Sequence, residues 1–505
     1  MTAAAHQTTD EMTKLRARVV EVEQKNAELE KQVAHLTHML FARKSERLAN
    51  EKHPKLPFPE EEPVLPPPPH VAEAPDEEYE QVTIKRKKRG ATRISKDLPR
   101  ETTKIELPEA ERMCPCCNEV MQPIGEEVSE RLDYTPSVLK ALETRRVKYA
   151  CKKHEESGVV TPPVPVHPIE KGMGTAGLLA QVLVAKYKDH LPLYRQSCIF
   201  ERHGAEIAES TLGDWVKDAA GMLLPVVMAT KASVLASHVV QSDDTGITVL
   251  DPDHPNGSRR SFLWAYVGDR DEVVFDFTAG RGREGPRGFL GDYRGNLQVD
   301  AYAGYDVVFQ TGRVVEVGCW AHARRRFFNA LDGEVQHAKH AMAVIQRLYQ
   351  IEREAKQLGL DFSARRELRQ REAKPLLDAM KPWLVALRPD ILPKSVLGDA
   401  IGYVLRQWDP LMRYLEDGRL QIDNNGVERQ MRTVAVGRKN WMFAGSAEGA
   451  KRAATIYSLV CTCGLLGVEP WAYLKDVLQR IAEGEDPAQL TPRLWKAARS
   501  RAPAR

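Results

Sequence analysis

The stretch between residues 237 and 327 is the part of the sequence that most constrains the fold. Short apolar or alternating runs separated by turn residues predict five strands, and less regular runs between them predict helices. The predicted strands are residues 237–243, 260–268, 271–278, 296–300 and 314–319, and the predicted helices are 281–293, 302–309 and 320–327. This order of three antiparallel strands, a helix, a strand, a helix and a strand predicts one mixed sheet covered by helices.

Two acids stand where predicted strands of this sheet end. Asp243 closes the first strand and Asp300 closes the fourth. The element order is that of the ribonuclease-H-like arrangement, in which these strand ends lie side by side and a third acid from a later helix completes a divalent-metal site. Ligand sets made only of oxygen suit Mg²⁺ or Mn²⁺, which bridge phosphate oxygens. The sequence therefore predicts two of three metal ligands.

Glu428 is the candidate for the third acid. It lies in QIDNNGVERQMRTVAVGRKNWMFAGS, and a helix here places Asn424 and Arg432 on its face, one turn away on either side. On local pattern alone an ordinary salt-bridged surface helix is the better interpretation. The two upstream acids reverse that balance and favour a metal ligand. Residues 333–419 read as amphipathic helices, so we expect an all-α insertion that splits the α/β core in sequence.

The N-terminal segment carries a heptad repeat. Apolar residues recur at alternating steps of three and four, at Met12, Leu15, Val19, Val22, Leu29, Val33, Leu36 and Leu40, with Asn26 at a single polar a position. Valine at a, leucine at d and one asparagine at a favour a parallel two-stranded coiled coil in fixed register. The alternative is a lone amphipathic helix packed on the body. The pattern predicts a homodimer or a higher oligomer.

A Pro-rich and Glu-rich linker and a basic run follow the heptads. Residues 53–75 include four consecutive prolines, which predict an extended linker. The basic run consists of Lys85, Arg86, Lys87, Lys88 and Arg89. Such runs are usually solvated tails, but in a protein that acts on DNA they become arms on phosphate.

Cysteine spacing predicts a zinc site. Cys114 and Cys117 form one knuckle, and Cys151 and His154 form a second, which together give a tetrahedral site with a folding role. Reduced core cysteines are the alternative. The eight cysteines fit a reducing compartment better than a disulfide scaffold. Cys461 and Cys463 are interpreted as buried small apolar residues.

Residues 174–224 predict helices around a turn at Gly204, with Ser210 as an N-cap. This pattern is compatible with a helix-turn-helix that reads DNA, and equally with a plain helical hairpin. The most apolar window, residues 221–240, contains Pro225 and Lys231 and predicts a buried helix running into a strand, not a membrane span. The chain opens without an apolar signal, so we expect a soluble intracellular protein. The net charge of +3 does not by itself indicate nucleic acid.

Five ordered motifs carry a family resemblance. The segments DDTGITVL, LQVDAYAGY, VGCWAHARRRFF, IDNNGVERQMRTVAVGRKNWMFAGS and YSLVCTCGLLGVEPWAYL resemble the insertion sequence 66 family of bacterial transposases. The heptads with FARKSER, the CPCC knuckle and KYKDHLPLYRQ also match that layout, so the resemblance covers nearly the whole chain. It implies a DDE-type core whose acids match Asp243, Asp300 and Glu428, and it also implies element-encoded accessory proteins.

One position departs from the family pattern. The chain has Asp-Asp-Thr where Asp-Glu-Thr is typical, so Asp244 replaces a glutamate. We keep Asp243 as the ligand because an acid at the last strand position faces the site and its neighbour faces away.

Cations near the acids are predicted DNA contacts, together with one histidine: His322, Arg324, Arg325, Arg429, Arg432, Arg438 and Lys439. A lone helical histidine is more often structural, although His322 lies in a matched motif. Asn424 and Asn425 are expected to orient Glu428. Trp320, Phe327 and Trp441 are expected to pack, although Trp441 could instead stack on a base.

The sequence thus predicts a multidomain transposase with an α/β ribonuclease-H-like catalytic core split by an all-α insertion, an N-terminal coiled coil and a zinc-binding module. The expected regions are 1–52 (coiled coil), 53–105 (linker), 106–168 (zinc module), 169–235 (helical DNA-binding region), 236–332 (first part of the core), 333–419 (insertion), 420–460 (second part of the core) and 461–505 (C-terminal helices).

The predicted enzyme is a metal-dependent polynucleotidyl transferase in the bacterial cytoplasm, associated with the nucleoid. It would use Mg²⁺ or Mn²⁺ and a structural Zn²⁺, cleave at inverted terminal repeats and join the 3′ ends to target DNA by transesterification. A regulator that only binds DNA and a nuclease that does not join strands are the alternatives.

Overall fold

The computed structural model describes residues 139–146, 149–150, 159–160, 163–170 and 172–501. The chain divides into two compact units, residues 1–65 with 146–505 and residues 66–145, and every helix and strand given below belongs to the first. The predicted coiled coil, the linker with its basic run and the four predicted zinc ligands lie outside the described residues.

Three helices precede the main sheet. A short antiparallel pair, β1 (Tyr149–Ala150) and β2 (Val159–Val160), comes before α1 (Ala176–Tyr187), α2 (Leu193–Arg202) and α3 (Glu209–Leu235). The Thr175 hydroxyl caps α1 by accepting a hydrogen bond from the Leu178 amide at 3.3 Å. Gly204, between α2 and α3, has a φ of +84°, which a glycine adopts without strain.

The structure corrects the predicted start of α3. Ala208, in an extended conformation, is the N-cap, and Ser210 lies inside the first turn. The helix then continues past Trp215 to Leu235 and directly precedes a strand, as the apolar window predicts. By length and composition it could cross a membrane, with a mean hydropathy of 1.3, but the core helix of a soluble protein passes the same test. Leu212, Leu223 and Val234 on α3 are fully buried.

The main sheet has the strand order β5-β4-β3-β6-β7. Its strands are β3 (Val239–Leu250), β4 (Ser258–Gly268), β5 (Val273–Thr278), β6 (Gly295–Gln298) and β7 (Val314–Val317). The first three are antiparallel, and β6 and β7 run parallel to β3. Two-residue β8 (Phe443–Ala444) pairs in parallel with the far end of β3. All five strands expected from the sequence are present, with shifted ends.

The largest shift is in β3. The prediction that this strand ends at Asp243 was wrong, because Asp243 pairs with Ala265 in the middle of a strand that continues to Leu250. The strand can continue because β4 follows it along its whole length, whereas β6 stops pairing at Gln241. Between Gln241 and Thr248, one edge of β3 therefore has no strand neighbour among the described residues.

The outer strand β5 is protected by a helix. The Val273 and Phe275 amides donate hydrogen bonds to Thr462 Oγ1 at 3.1 Å and Ser458 Oγ at 2.8 Å, both on α13 (Ala447–Leu466). The hydroxyls satisfy edge amides that would otherwise be open to another strand. Cys461 and Cys463 on this helix are free thiols and buried, as the sequence predicts.

Helices occupy the stretch between β7 and the acidic helix. After α4 (Glu284–Leu290), α5 (Asp306–Phe309) and α6 (Trp320–Asn329) come α7 (Val335–Gln357), α8 (Phe362–Leu368), α9 (Lys374–Leu387), α10 (Val396–Arg406) and α11 (Trp408–Met412). They share one apolar core with Trp320 and Phe327 of α6, which are fully buried as predicted.

A buried arginine connects these helices to the acidic helix. Arg369 is 0% exposed and donates to both carboxylate oxygens of Glu352, at 2.7 and 2.9 Å. It also donates to the carbonyls of Asp417 at 3.0 Å and Leu420 at 2.9 Å. The segment that enters α12 (Asn425–Trp441) is thereby fixed to the helical stretch. Helices α14 (Pro470–Ala482) and α15 (Pro492–Arg501) follow α13.

Candidate active site

The residues that follow the last paired row of β3, β6 and β7 lie at one edge of the sheet. Gln241, Gln298 and Val317 form the last row paired across β3, β6 and β7. Asp243, Asp300 and Cys319 each lie two residues beyond that row. Because side chains repeat with a period of two along a strand, residues two apart face the same side. Asp243 and Asp300 thus meet although the first strand does not end there.

Electrostatics show that the three predicted acids lie close together. Burial, together with the negative charges of Asp300 and Glu428, raises the pKa of Asp243 to about 7. The Asp244 amide opposes this by donating a hydrogen bond to Asp243 Oδ1 at 2.8 Å. A carboxyl with this pKa is half protonated near neutral pH, so the cluster gains from any cation that replaces the proton.

Glu428 lies in the first turn of α12 and faces His322 of α6. Glu428 Oε1 and His322 Nδ1 are 3.7 Å apart, and both atoms are buried without a hydrogen-bond partner in the described part of the chain. Burial lowers the pKa of His322, although Glu428 and Asp300 oppose the shift. The site therefore presents an uncharged imidazole and a carboxylate oxygen that has no partner of its own.

Cys319 completes a cluster with these two side chains. One ligand atom each of Cys319, His322 and Glu428 lies within 4.8 Å of the others. Burial raises the pKa of the Cys319 thiol to about 12, and its Sγ donates to Asn424 Oδ1 at 3.0 Å. A neutral thiol is a poor metal ligand, since the thiolate is the form that binds. The carboxylates are the donors available to a hard cation.

Two buried glutamines hold the start of the acidic helix against the sheet. Gln241 Nε2 donates to Gln298 Oε1 at 2.9 Å and to the Asp423 carbonyl at 3.0 Å. Gln241 Oε1 accepts from the Val427 amide at 3.2 Å, and Gln298 Nε2 donates to the Gln421 carbonyl at 2.8 Å. These bonds fix the residues just before α12 and one residue within its first turn, and so they position Glu428.

Gly426 belongs to the same arrangement. A Cβ at this position would lie 2.3 Å from Gln241 Oε1, well inside van der Waals contact. The sequence analysis missed Gln241, Gln298 and Gly426. A polar residue facing inward in each of two apolar runs, VVQSD and NLQVD, is the signal that could have found the glutamines.

Arg281 links the residues that follow the first two acids. Its guanidinium donates from Nη2 and Nε to Asp244, at 2.8 and 3.0 Å, and lies 4.1 Å from the centre of the Tyr302 ring. The Tyr302 hydroxyl donates back to the Arg281 carbonyl, and the Tyr302 amide donates to Asp300 Oδ1 at 3.1 Å. The sequence analysis assigned no role to Arg281.

The predicted DNA contacts differ in their surroundings. Arg325, Arg429, Arg432 and Lys439 are exposed on α6 and α12, and Arg324 is half-buried. Arg438 is half-buried, and its Nη1 donates to Thr245 Oγ1 at 2.9 Å and to the Gly246 carbonyl. Arg438 therefore also fastens α12 to β3.

The two asparagines expected to orient Glu428 bond to other groups. Asn424 is fully buried and accepts from Cys319, and Asn425 Nδ2 donates to Asp423 Oδ2 at 2.7 Å. Both contacts stabilise the entry into α12. Any influence of these asparagines on Glu428 passes through the helix backbone. Trp441, at the end of α12, is half-buried.

Comparison with known families gives four matches along the chain. Residues 171–452 match the model described as "Transposase IS66 family", and residues 111–153 match the "zinc-finger binding domain of transposase IS66". Residues 458–492 match the "IS66 C-terminal element", and residues 28–103 match "Transposase C of IS166 homeodomain". The first match alone spans more than half of the sequence.

Similar proteins occur in Sinorhizobium fredii (strain NBRC 101917 / NGR234). "Uncharacterized protein y4jD" is 36% identical over 427 residues, which cover 80% of this chain and 82% of that protein. "Uncharacterized protein y4hP" is 35% identical over 430 residues, which cover 80% of this chain and 76% of that protein. The chain therefore belongs to the IS66 family of transposases, DNA-processing enzymes, and carries that family's zinc-finger domain and a leucine-zipper-like N-terminal domain.

Proposed function

We propose that this transposase is a DDE-type polynucleotidyl transferase. It cleaves the ends of its insertion sequence and joins the resulting 3′ ends to target DNA. The observation that carries the proposal is that three carboxylates from distant parts of the chain, Asp243, Asp300 and Glu428, interact with one another. Burial and then the charges of Asp300 and Glu428 raise the pKa of Asp243 to about 7. Repulsion of this kind is typical of sites built to hold cations.

The sheet supports a ribonuclease-H-like core. The order β5-β4-β3-β6-β7, with three antiparallel strands followed by two parallel ones, is the order expected for that arrangement. The helices from Val335–Gln357 to Trp408–Met412 then form the all-α insertion, and α12 brings back the third acid. We propose the remaining regions with the boundaries given above, including a DNA-reading role for residues 169–235.

The donor set fits a hard divalent cation. Asp243, Asp300 and Glu428 would hold Mg²⁺ or Mn²⁺, since they offer only oxygen and Glu428 Oε1 has no partner in the described part of the chain. When bound, such ions activate the attacking oxygen and neutralise charge on the phosphate.

Hydrogen bonds within the protein position the metal-binding carboxylates. The glutamine pair fixes the position of Glu428, and Arg281 holds the segments after both strand acids. In cleavage, water attacks the phosphorus and the strand's 3′ oxygen leaves as a hydroxyl. In joining, that hydroxyl attacks a target phosphate and displaces another 3′ oxygen, so one phosphodiester forms as one breaks and no protein atom becomes bonded to DNA.

The predicted DNA contacts are retained as part of the proposal. The exposed cations Arg325, Arg429, Arg432 and Lys439 suit phosphate, as does the basic run from Lys85 to Arg89. Because burial lowers the pKa of His322, its contact with DNA would be a hydrogen bond and not a charge. We further propose that Cys114, Cys117, Cys151 and His154 bind the structural zinc.

The same proposal extends to partners. The N-terminal heptads would pair protomers so that two element ends are held together. Inverted terminal repeats and target DNA are the substrates, element-encoded accessory proteins would assist, and the cytoplasm with its nucleoid is the place of action.

A cleavage assay tests the proposal. Purified full-length protein, Mg²⁺ and labelled duplex carrying the element's own end should give a nick with a free 3′-hydroxyl and then a joined product. Asp300→Ala should give neither. A wild-type protein that binds the duplex but never nicks it would make this chain a DNA-binding regulator. Nicking without any joined product would make it a nuclease.

A further inference from the structure

A basic cavity lies along the free edge of β3, one residue away from Asp243. Its volume is about 430 Å³. The residues that line it come from β3, β4, the segment after β5 and the acidic helix, and they are Asp244, Thr245, Gly246, Arg260, Phe262, Arg281 and Arg438. The cavity opens where β3 has passed the end of β6 and has not yet met β8.

The three arginines in this cavity are held differently. Arg281 is paired with Asp244, so its charge is largely balanced. Arg438 is fixed by two neutral acceptors, Thr245 Oγ1 and the Gly246 carbonyl, so its charge is retained. Arg260 is exposed and forms no hydrogen bond or ion pair with any described residue. The lining therefore has three arginines and one carboxylate, Asp244, which is paired with Arg281 and also attracts Arg260.

Gly246 makes room for the unpaired guanidinium. A Cβ at this position would lie 2.8 Å from Arg260 Nε, so the Arg260 side chain crosses the strand directly over the glycine. Any larger residue would force the guanidinium to shift. The preceding arginine behaves in the opposite way: Arg259 faces the other side of β4 and pairs with Asp251 at 3.0 Å.

We propose that this cavity binds a backbone phosphodiester of DNA next to the bond that reacts. This inference rests on the proposed function and names a further part of its DNA-binding surface. Arginine forks suit phosphate oxygens in geometry and charge. Arg281 and Arg438 are fixed before DNA arrives, so little side-chain freedom is lost on binding. Tyr302 connects this cavity to the acids, because its hydroxyl donates to the Arg281 carbonyl and its amide donates to Asp300 Oδ1 at 3.1 Å.

The test is the salt dependence of DNA binding by the full-length protein. The dissociation constant for an element-end duplex is measured in Ca²⁺, without cleavage, from low to high salt. Each lost phosphate contact lowers the slope of log K against log salt by about 0.9. We expect that decrease for Arg260→Gln, the wild-type slope for the matched control Arg259→Gln, and recovery with Arg260→Lys. Thermal unfolding of each variant shows that it is folded.

The outcomes separate this inference from the proposed function. Equal slopes for wild type, Arg260→Gln and Arg259→Gln would overturn the phosphate site even if the protein cleaves its ends. A slope change confined to Arg260→Gln supports the site even if no cleavage is found, which would count against the enzyme alone. A repeat with an unrelated duplex identifies the source: a change only with the element end assigns the phosphate to that strand, and a change with both assigns it to any DNA.

Discussion

Asp243 and Asp244 are adjacent in sequence, yet they belong to two regions with opposite character. Asp243 faces Asp300 and Glu428, and its pKa is raised to about 7 by burial and then by these charges. Asp244, on the other face of β3, is buried too, and burial raises its pKa above the ordinary value, although Arg281 opposes this shift by donating two N–H groups to the carboxylate. Among the described residues, Asp244 has an arginine partner and Asp243 has none.

The two regions differ in how the protein itself balances their charges. The acidic cluster, defined by Asp243, Asp300 and Glu428, keeps a repulsion that an incoming cation would relieve. In the basic cavity, Arg281 and Arg438 are hydrogen-bonded to protein acceptors, whereas the Arg260 guanidinium is exposed and lies 5.6 Å from the centre of the Phe262 ring. Substitutions in the two regions should therefore differ in kind as well as in size.

Asp300→Asn should have the largest effect. It keeps the side chain's shape but removes one anionic ligand, and the loss of several kcal/mol of charge stabilisation corresponds to a decrease of about 1,000-fold in cleavage rate. Affinity for the element-end duplex should be unchanged or higher, because a negative charge near DNA is removed. Single-turnover cleavage and equilibrium binding measure the two. If cleavage rate and DNA affinity fell together, Asp300 would not act on the reaction separately from DNA binding.

Gly426→Ala should reduce the cleavage rate by about 100-fold. The new Cβ displaces Gln241, and a displacement of Glu428 by about 1 Å is enough for a loss of this size. Gly221→Ala is the matched control, since it also lies inside a helix but its Cβ would meet nothing within 4 Å. Cleavage by both variants is compared at saturating metal and DNA. If the two variants cleave equally well, the glutamine pair does not position Glu428.

Metal affinity should depend on pH through Asp243. Below a pKa of about 7 the proton competes with the cation, so the apparent affinity for Mn²⁺ should fall about tenfold per pH unit, and above that pKa it should level off. Calorimetric titrations between pH 5.5 and 8.5 measure this. Asp244→Asn should keep the same profile, because that carboxylate is bound to Arg281. A flat profile between pH 6 and 7 would contradict the raised pKa.

Asp243→Asn should have the smallest effect, an increase in stability. The folded-state pKa lies above the ordinary value of 3.8, so the wild-type core loses stability as pH rises from about 4 through about 7. Each unit by which folding raises the pKa of Asp243 lowers the free energy of unfolding at high pH by about 1.4 kcal/mol. Recovery of one such unit corresponds to an increase in Tm of about 2–4 °C. Metal-free thermal unfolding should show a higher Tm for the variant at pH 8 and no difference near pH 4. A lower Tm of the variant at pH 8 would show that ionisation of the buried Asp243 does not destabilise the folded protein.

Local patterns predicted much of this fold. Strand and helix periods are properties of neighbouring residues, so α12 and five of the six strands of the main sheet could be expected from the sequence. Asp243, Asp300 and Glu428 were identified by matching ordered motifs, and the family match supports the resemblance on which that identification rests. The burial of Trp320 and Phe327 followed from their apolar positions on α6.

The errors and omissions share one physical cause. The end of β3 was misplaced because it depends on where β4 and β6 stop pairing, which residues far along the chain decide. The sequence analysis missed Gln241, Gln298 and Arg281 because their roles depend on hydrogen-bond partners more than thirty positions away. A polar residue in an apolar strand signals a buried bond but does not name its partner.

The sequence by itself determined the family and the order of elements and predicted the three acids, because each is encoded in local spacing or in a matched motif. Only the tertiary structure decided that Asp243 faces Asp300 and Glu428 while Asp244 pairs with Arg281, and that the Arg260 side chain crosses over Gly246. Charges are balanced by whichever groups the fold brings within a few ångströms, and that proximity depends on the packing of β3, β4 and α12 together.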